Sequence, residues 1–139
     1  MPGLGGGDDV ETVGTNVDAI LATWDEEGIV GDPVRGEALY NSAEMAAVPP
    51  VLGCSGCHTG GINGPATAGT WDRTVNERLT LDQFADYTPE QYLIESIVAP
   101  ETYIAPGWSG GVMPAGFGSR LAHQDLADII AYLATQTGN

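Results

Sequence analysis

The chain has no lysine. Its four cations are Arg35, Arg73, Arg78 and Arg120, set against 19 acidic residues, for a formal net charge of −15 over 139 residues. Such a surface repels nucleic acid and anionic lipid. It favours a partner with a basic docking face, met at a rate that falls as salt rises. Cysteine is scarce as well: there are two, three positions apart. A bridge between them would close almost no loop, so the pair reads as chemistry rather than as a structural staple. No apolar run reaches the roughly 18–20 residues needed to span a bilayer. No basic stretch followed by an apolar one opens the chain, so no signal peptide is visible. Strict alternation of apolar and polar residues is missing too, which argues against strands.

What is present is enough apolar material, 42 % of residues, for one domain with one core. Twenty glycines and nine prolines predict long loops. Residues 1–31 read as a flexible, acidic, glycine-rich leader that includes a short amphipathic helix. Val17, Ile20, Leu21 and Trp24 give that helix its spacing. The domain proper is expected over 32–139. Asp32 can cap its first helix, with Pro33 in the first turn and Gly36, Leu39 and Tyr40 near one face. Thr88, Pro89 and Gln91 predict a capped helix carrying Leu93, Ile94, Ile97 and Val98, stopped by Pro100. Leu126, Ile129, Ile130 and Leu133 predict a last helix over about 123–135. The stretch 73–81 is ambiguous. The fold expected is all-α, with three main helices and long loops.

Cys54-Ser55-Gly56-Cys57-His58 carries the chemistry. Two thiols at this spacing can each add to one vinyl group of a haem, and the histidine that follows can reach the iron from one face. The small Ser55 and Gly56 let the backbone lie close to the ring. Two other readings stand beside this one. A thioredoxin-like redox pair expects a strand before it and a helix after it, whereas Pro49, Pro50 and Gly53 precede and Gly60, Gly61 and Gly64 follow. A zinc site would need Cys54, Cys57, His58 and His123 together, and adjacent Cys57 and His58 strain a tetrahedron.

An iron with one histidine needs a second axial group or an open position. Met113 lies in an irregular loop, Gly110 to Phe117, where Pro114 adds stiffness and Phe117 can pack on a ring edge. Met113 is the candidate ligand, with a gap-filling core residue as the other reading. Met45 reads as core. His123 reads as a solvated first-turn residue, with bis-histidine ligation as its alternative. A His/Met pair fills both axial positions and raises the reduction potential, which disfavours an oxidase or peroxidase.

Residues 32–135 resemble the class I cytochrome c family. The resemblance rests on Cys54-Ser55-Gly56-Cys57-His58, on Met113-Pro114, and on Asp128-Ile129-Ile130-Ala131-Tyr132-Leu133. Gly36 and Tyr40 look like that family's glycine and aromatic face on the first helix, where the first and last helices cross against positions matching Ile129 and Tyr132. It implies one covalent haem c and a one-electron carrier, not an enzyme, working between respiratory or photosynthetic redox partners. It also implies a periplasmic or extracytoplasmic location, with the signal or anchor segment absent from this chain. Gly64-Pro65 resembles the family's Gly-Pro, which implies that the Pro65 carbonyl accepts the Nδ1–H of His58. Haem propionates need donors, for which Trp71 and Arg73 are candidates, with Arg78, Tyr103 and Trp108 behind them. The stretch 88–114 looks like cytochrome c domains attached to respiratory complexes, so a fixed subunit of a membrane respiratory complex is the alternative. A haem sensor or peroxidase with an open iron site ranks below that. Two features depart from the family. The cap position of the last helix holds Ala122 or His123, and the usual lysine-rich rim is absent.

Overall fold

Asn16 starts the first helix. Its side chain accepts the amide of Ala19 at 3.0 Å, and α1 runs Val17–Glu27 until Gly28 turns left-handed (φ +69°). The computed structural model describes residues 12–47, 69–99 and 117–137. Asp32 then caps α2, Pro33–Tyr40, by accepting the amide of Val34 at 2.9 Å, with proline in the first turn as expected. The ambiguous stretch becomes α3, Thr70–Asn76, followed by two single 3₁₀ turns, Arg78–Thr80 and Asp82–Phe84.

Thr88 and Gln91 form the predicted reciprocal cap of α4, Pro89–Val98. The Thr88 amide donates to the Gln91 side chain at 2.7 Å, and the Gln91 amide to the Thr88 hydroxyl at 3.2 Å. A 3₁₀ turn, Phe117–Ser119, leads into α5, His123–Leu133. Among the described residues there is no strand, only an isolated antiparallel bridge between Thr12 and Ala122. The fold is all-α. None of its described helices is long and apolar enough to cross a membrane.

The core lies between α2 and α5 and extends under α4. Leu39, Ile94, Leu121, Leu126 and Ile129 are essentially fully buried there. The crossing of α2 and α5 turns on Gly36. A side chain at that position would sit on the Asp128 carbonyl and within 2.9 Å of the Tyr132 Cβ, so the two backbones touch. Tyr40 and Tyr132 pack alongside with ring centroids 5.4 Å apart. The apolar side of α1 faces inward: Ile20 is buried, and Val17, Leu21 and Trp24 pack against the core. The helix rests on α4.

Alkaline pH should loosen this packing. The Tyr87 hydroxyl donates to Glu95 at 2.7 Å. That bond, then burial, then the charge of Glu95 raise the Tyr87 pKa above its ordinary value. Burial and then Glu37 do the same to Tyr132. A tyrosine whose folded pKa is raised stabilises the fold in full below its unfolded pKa, about 10. That contribution is lost as pH rises through the folded value. The urea midpoint should therefore decline above roughly pH 10, and Tyr87→Phe should flatten the decline. An equally steep fall in Tyr87→Phe would contradict this.

Candidate cofactor site

Cys54, Cys57, His58, Pro65 and Met113 lie outside the described residues. What the structure does place are the anchor points from which those segments leave and return. Ala47 is seven residues before Cys54, Gly69 is eleven after His58, and Phe117 is four after Met113.

The first anchor is an ionic cluster that sequence reasoning missed. Arg35, on α2, donates to Asp128 and Asp125 on α5, each at 2.8 Å, and to Glu44 at 2.6 Å. Asp125 and Asp128 are buried, while the Arg35 side chain keeps 30 % exposure. Burial alone would lower the Arg35 pKa. The hydrogen bonds to Asp128, Asp125 and Glu44 outweigh it and raise the pKa further, so the guanidinium stays charged. The second oxygen of Asp125 accepts the amides of Ala122 and Ala47, each at 2.9 Å. The same carboxylate thus satisfies the Ala122 amide at the start of α5, whose cap position has no side chain to accept an amide in return. It also holds the chain on its way towards Cys54. The signal available in the sequence was Asp125 and Asp128 three apart on an otherwise apolar helix face, which called for a cation.

The second anchor carries Trp71 and Arg73. The Trp71 amide donates to the Gln136 carbonyl at 3.0 Å, tying α3 to the chain beyond α5, and the indole packs half-buried against the core. Arg73 lies half-buried, with Nη2 donating to the Thr70 hydroxyl at 3.2 Å. It opens on a small cleft of about 100 Å³ between α3 and α4, shared with Arg78, Thr74, Tyr92 and Ser96. Arg73 and Arg78, two of the chain's four arginines, line this cleft together as cations suited to a carboxylate, and Arg78 also pairs with Glu77 at 3.5 Å.

His123 departs from expectation. It is buried rather than solvated, because α1 lies over the start of α5 and the Trp24 indole N–H donates to its Nδ1 at 3.1 Å. Among the described residues no group of three or more His, Cys, Asp or Glu could hold a metal ion.

A family model described as cytochrome c matches residues 33–137, a stretch that holds α2 to α5, the Cys54–His58 motif and Met113. No curated protein and no solved structure matches the chain. Members of that family bind a c-type haem and carry electrons rather than catalyse a reaction. The match covers most of the sequence, and α2 and α5 cross at a glycine as the resemblance anticipated. This chain belongs to the cytochrome c family.

Proposed function

We propose that this protein carries single electrons on one haem, joined by thioether bonds to Cys54 and Cys57 and ligated axially by His58 and Met113. The observation that carries this reading is the run Cys54-Ser55-Gly56-Cys57-His58 inside the matched stretch. The arginine cleft between α3 and α4 supports it, since a haem brings two carboxylates that need donors. When bound, the haem supplies the one-electron couple.

The chain's own groups do the rest. His58 and Met113 would both ligate the iron, which would leave no open site for oxygen or peroxide and would raise the potential. Pro65 is the residue whose carbonyl would accept the Nδ1–H of His58, orienting the imidazole and raising its basicity. Arg73, with Arg78 beside it, takes a propionate, and Trp71 is the second donor. The acidic surface steers a redox partner through a basic docking face, and electron-transfer rates should fall as ionic strength rises. The chain works in the periplasm or on the extracytoplasmic face of a membrane. A freely docking carrier is favoured over a fixed subunit of a membrane respiratory complex, because the apolar face of α1 is spent on its own core.

The test is a reduced-minus-oxidised spectrum with a pyridine haemochrome assay, followed by extraction with acidified organic solvent. Colour that stays with the polypeptide is expected, and colour that leaves it refutes thioether attachment. Met113→Ala should abolish the thioether charge-transfer absorption of the ferric protein and let the reduced protein bind carbon monoxide. Survival of that absorption would overturn Met113 as ligand.

A further inference from the structure

Residues 12–31 lie outside the stretch matched by the family model, yet they are bound to the body along their length. The Val13 amide donates to the Leu121 carbonyl at 3.0 Å, and the Gly14 amide to the Gly118 carbonyl at 2.7 Å. Val13 is buried in the same core cluster as Phe117 and Leu121. Gly118 admits no side chain, since a Cβ there would fall on the Gly14 carbonyl oxygen. Further along, Trp24 donates to His123, and the Gln124 side chain donates to the Val30 carbonyl at 2.8 Å. The Asp32 amide donates to Asp128 at 2.7 Å. Gly31 meets the backbone of Ala127 so closely that a Cβ would land on its carbonyl. The segment therefore grips the 117–122 turn at one end and follows α5 to its middle.

We infer that residues 12–31 are a strap that holds the turn from Phe117 to Ala122 and thereby positions Met113 as the sixth ligand. The inference rests on the assignment of Met113 above. Met113 lies four positions before Phe117, with three residues between them, at most about 14 Å of extended backbone. A turn clamped at Gly118 and Leu121 fixes the point from which that tether runs. A turn released from the strap leaves the thioether to compete with water or an added ligand. Val13, Gly14 and Gly118 are positioning residues: they act through the turn and touch no reacting atom.

The test uses the full-length, haem-loaded chain with Val13→Pro, which removes the amide that bonds Leu121. Three readouts are taken: hydrogen exchange at the Arg120 and Leu121 amides, which close the turn onto the Phe117 carbonyl, the ferric thioether absorption, and carbon monoxide binding to the reduced protein. Exchange at the two amides should quicken by about tenfold. The absorption should vanish at a lower pH than in the unaltered chain, and carbon monoxide should now bind, with the far-ultraviolet helix signal unchanged. Trp24→Phe, which removes one hydrogen bond and no backbone contact, should shift all three in the same direction by less, and it serves if Val13→Pro does not fold. The strap role is overturned if the turn amides exchange faster while absorption and carbon monoxide binding stay as before, or if the amides do not respond. If Met113→Ala keeps the absorption, the ligand assignment has failed instead. The exchange readout separates the two failures because it does not depend on Met113.

Discussion

Arg35→Leu should cost about 3 kcal/mol of folding stability, read as a lower urea midpoint with an unchanged slope. The reason lies in what the substitution leaves behind. Asp125 and Asp128 are both buried, with side chains 4 % and 1 % exposed, and Arg35 is the cation that meets each of them. Taking away one partner of a buried ion pair leaves the other charge desolvated and uncompensated, a loss of roughly 3–5 kcal/mol. The lower end applies because Arg35 keeps 30 % exposure, so water already reaches the pair. The damage should spread. Asp125 also holds the amides of Ala47 and Ala122, so its displacement loosens both the start of α5 and the chain leading towards Cys54. Haem incorporation should fall together with stability. Glu44→Gln provides the contrast: its carboxylate is 44 % exposed, and losing it should cost under about 1 kcal/mol. Equal losses for the two variants would show that the burial of Asp125 and Asp128 contributes nothing special.

Gly36→Ala is the second large effect, again about 3 kcal/mol, and its sign runs against helix propensity. Within a helix, alanine is ordinarily favoured over glycine by about 1 kcal/mol. Here the added methyl would sit on the Asp128 carbonyl and 2.9 Å from the Tyr132 Cβ. Backbone cannot swing aside as the end of a long side chain can, so α2 and α5 must separate. Overpacking of this kind typically costs about 1–3 kcal/mol and sometimes more. The separation also stretches the neighbouring Arg35–Asp128 pair, so the loss should not add simply to that of Arg35→Leu. Thermal unfolding of the two single variants and the double variant measures the coupling. A Gly36→Ala variant as stable as the parent would mean that the helices do not meet at this glycine.

Much of the architecture could be read before any coordinates, because the signals are local. Asp32-Pro33 and Thr88-Pro89-x-Gln91 are caps whose donors and acceptors lie within three residues of each other, and both formed as the residue order requires. The apolar stripe of the last helix needs only its own periodicity, and α5 buries Leu126, Ile129, Ile130 and Leu133 as that spacing demands. The stretch 73–81 was illegible for a related reason. Its helix opens at a left-handed glycine without a side-chain cap, then breaks into two separate 3₁₀ turns, so no steady period runs through it.

Chemistry carried by adjacent residues is legible in the same way. The haem motif is five consecutive residues, and no knowledge of the fold is needed to see two thiols and an imidazole side by side. Contacts between distant residues leave no such trace. Arg35 and Asp128 are 93 positions apart, and Trp24 and His123 are 99 apart. Nothing near His123 in the chain announces that α1 will cover it. That Val13 closes on Leu121, and that Gly118 must stay bare to let Gly14 approach, follows from three-dimensional packing alone. Residue order thus specified the helices, their caps and the attachment motif, since each depends on atoms a few bonds away. The ionic cluster between α2 and α5, the burial of His123 and the grip of residues 12–31 emerged only on folding. Each joins groups that share a dry, crowded interior and have no local reason to meet.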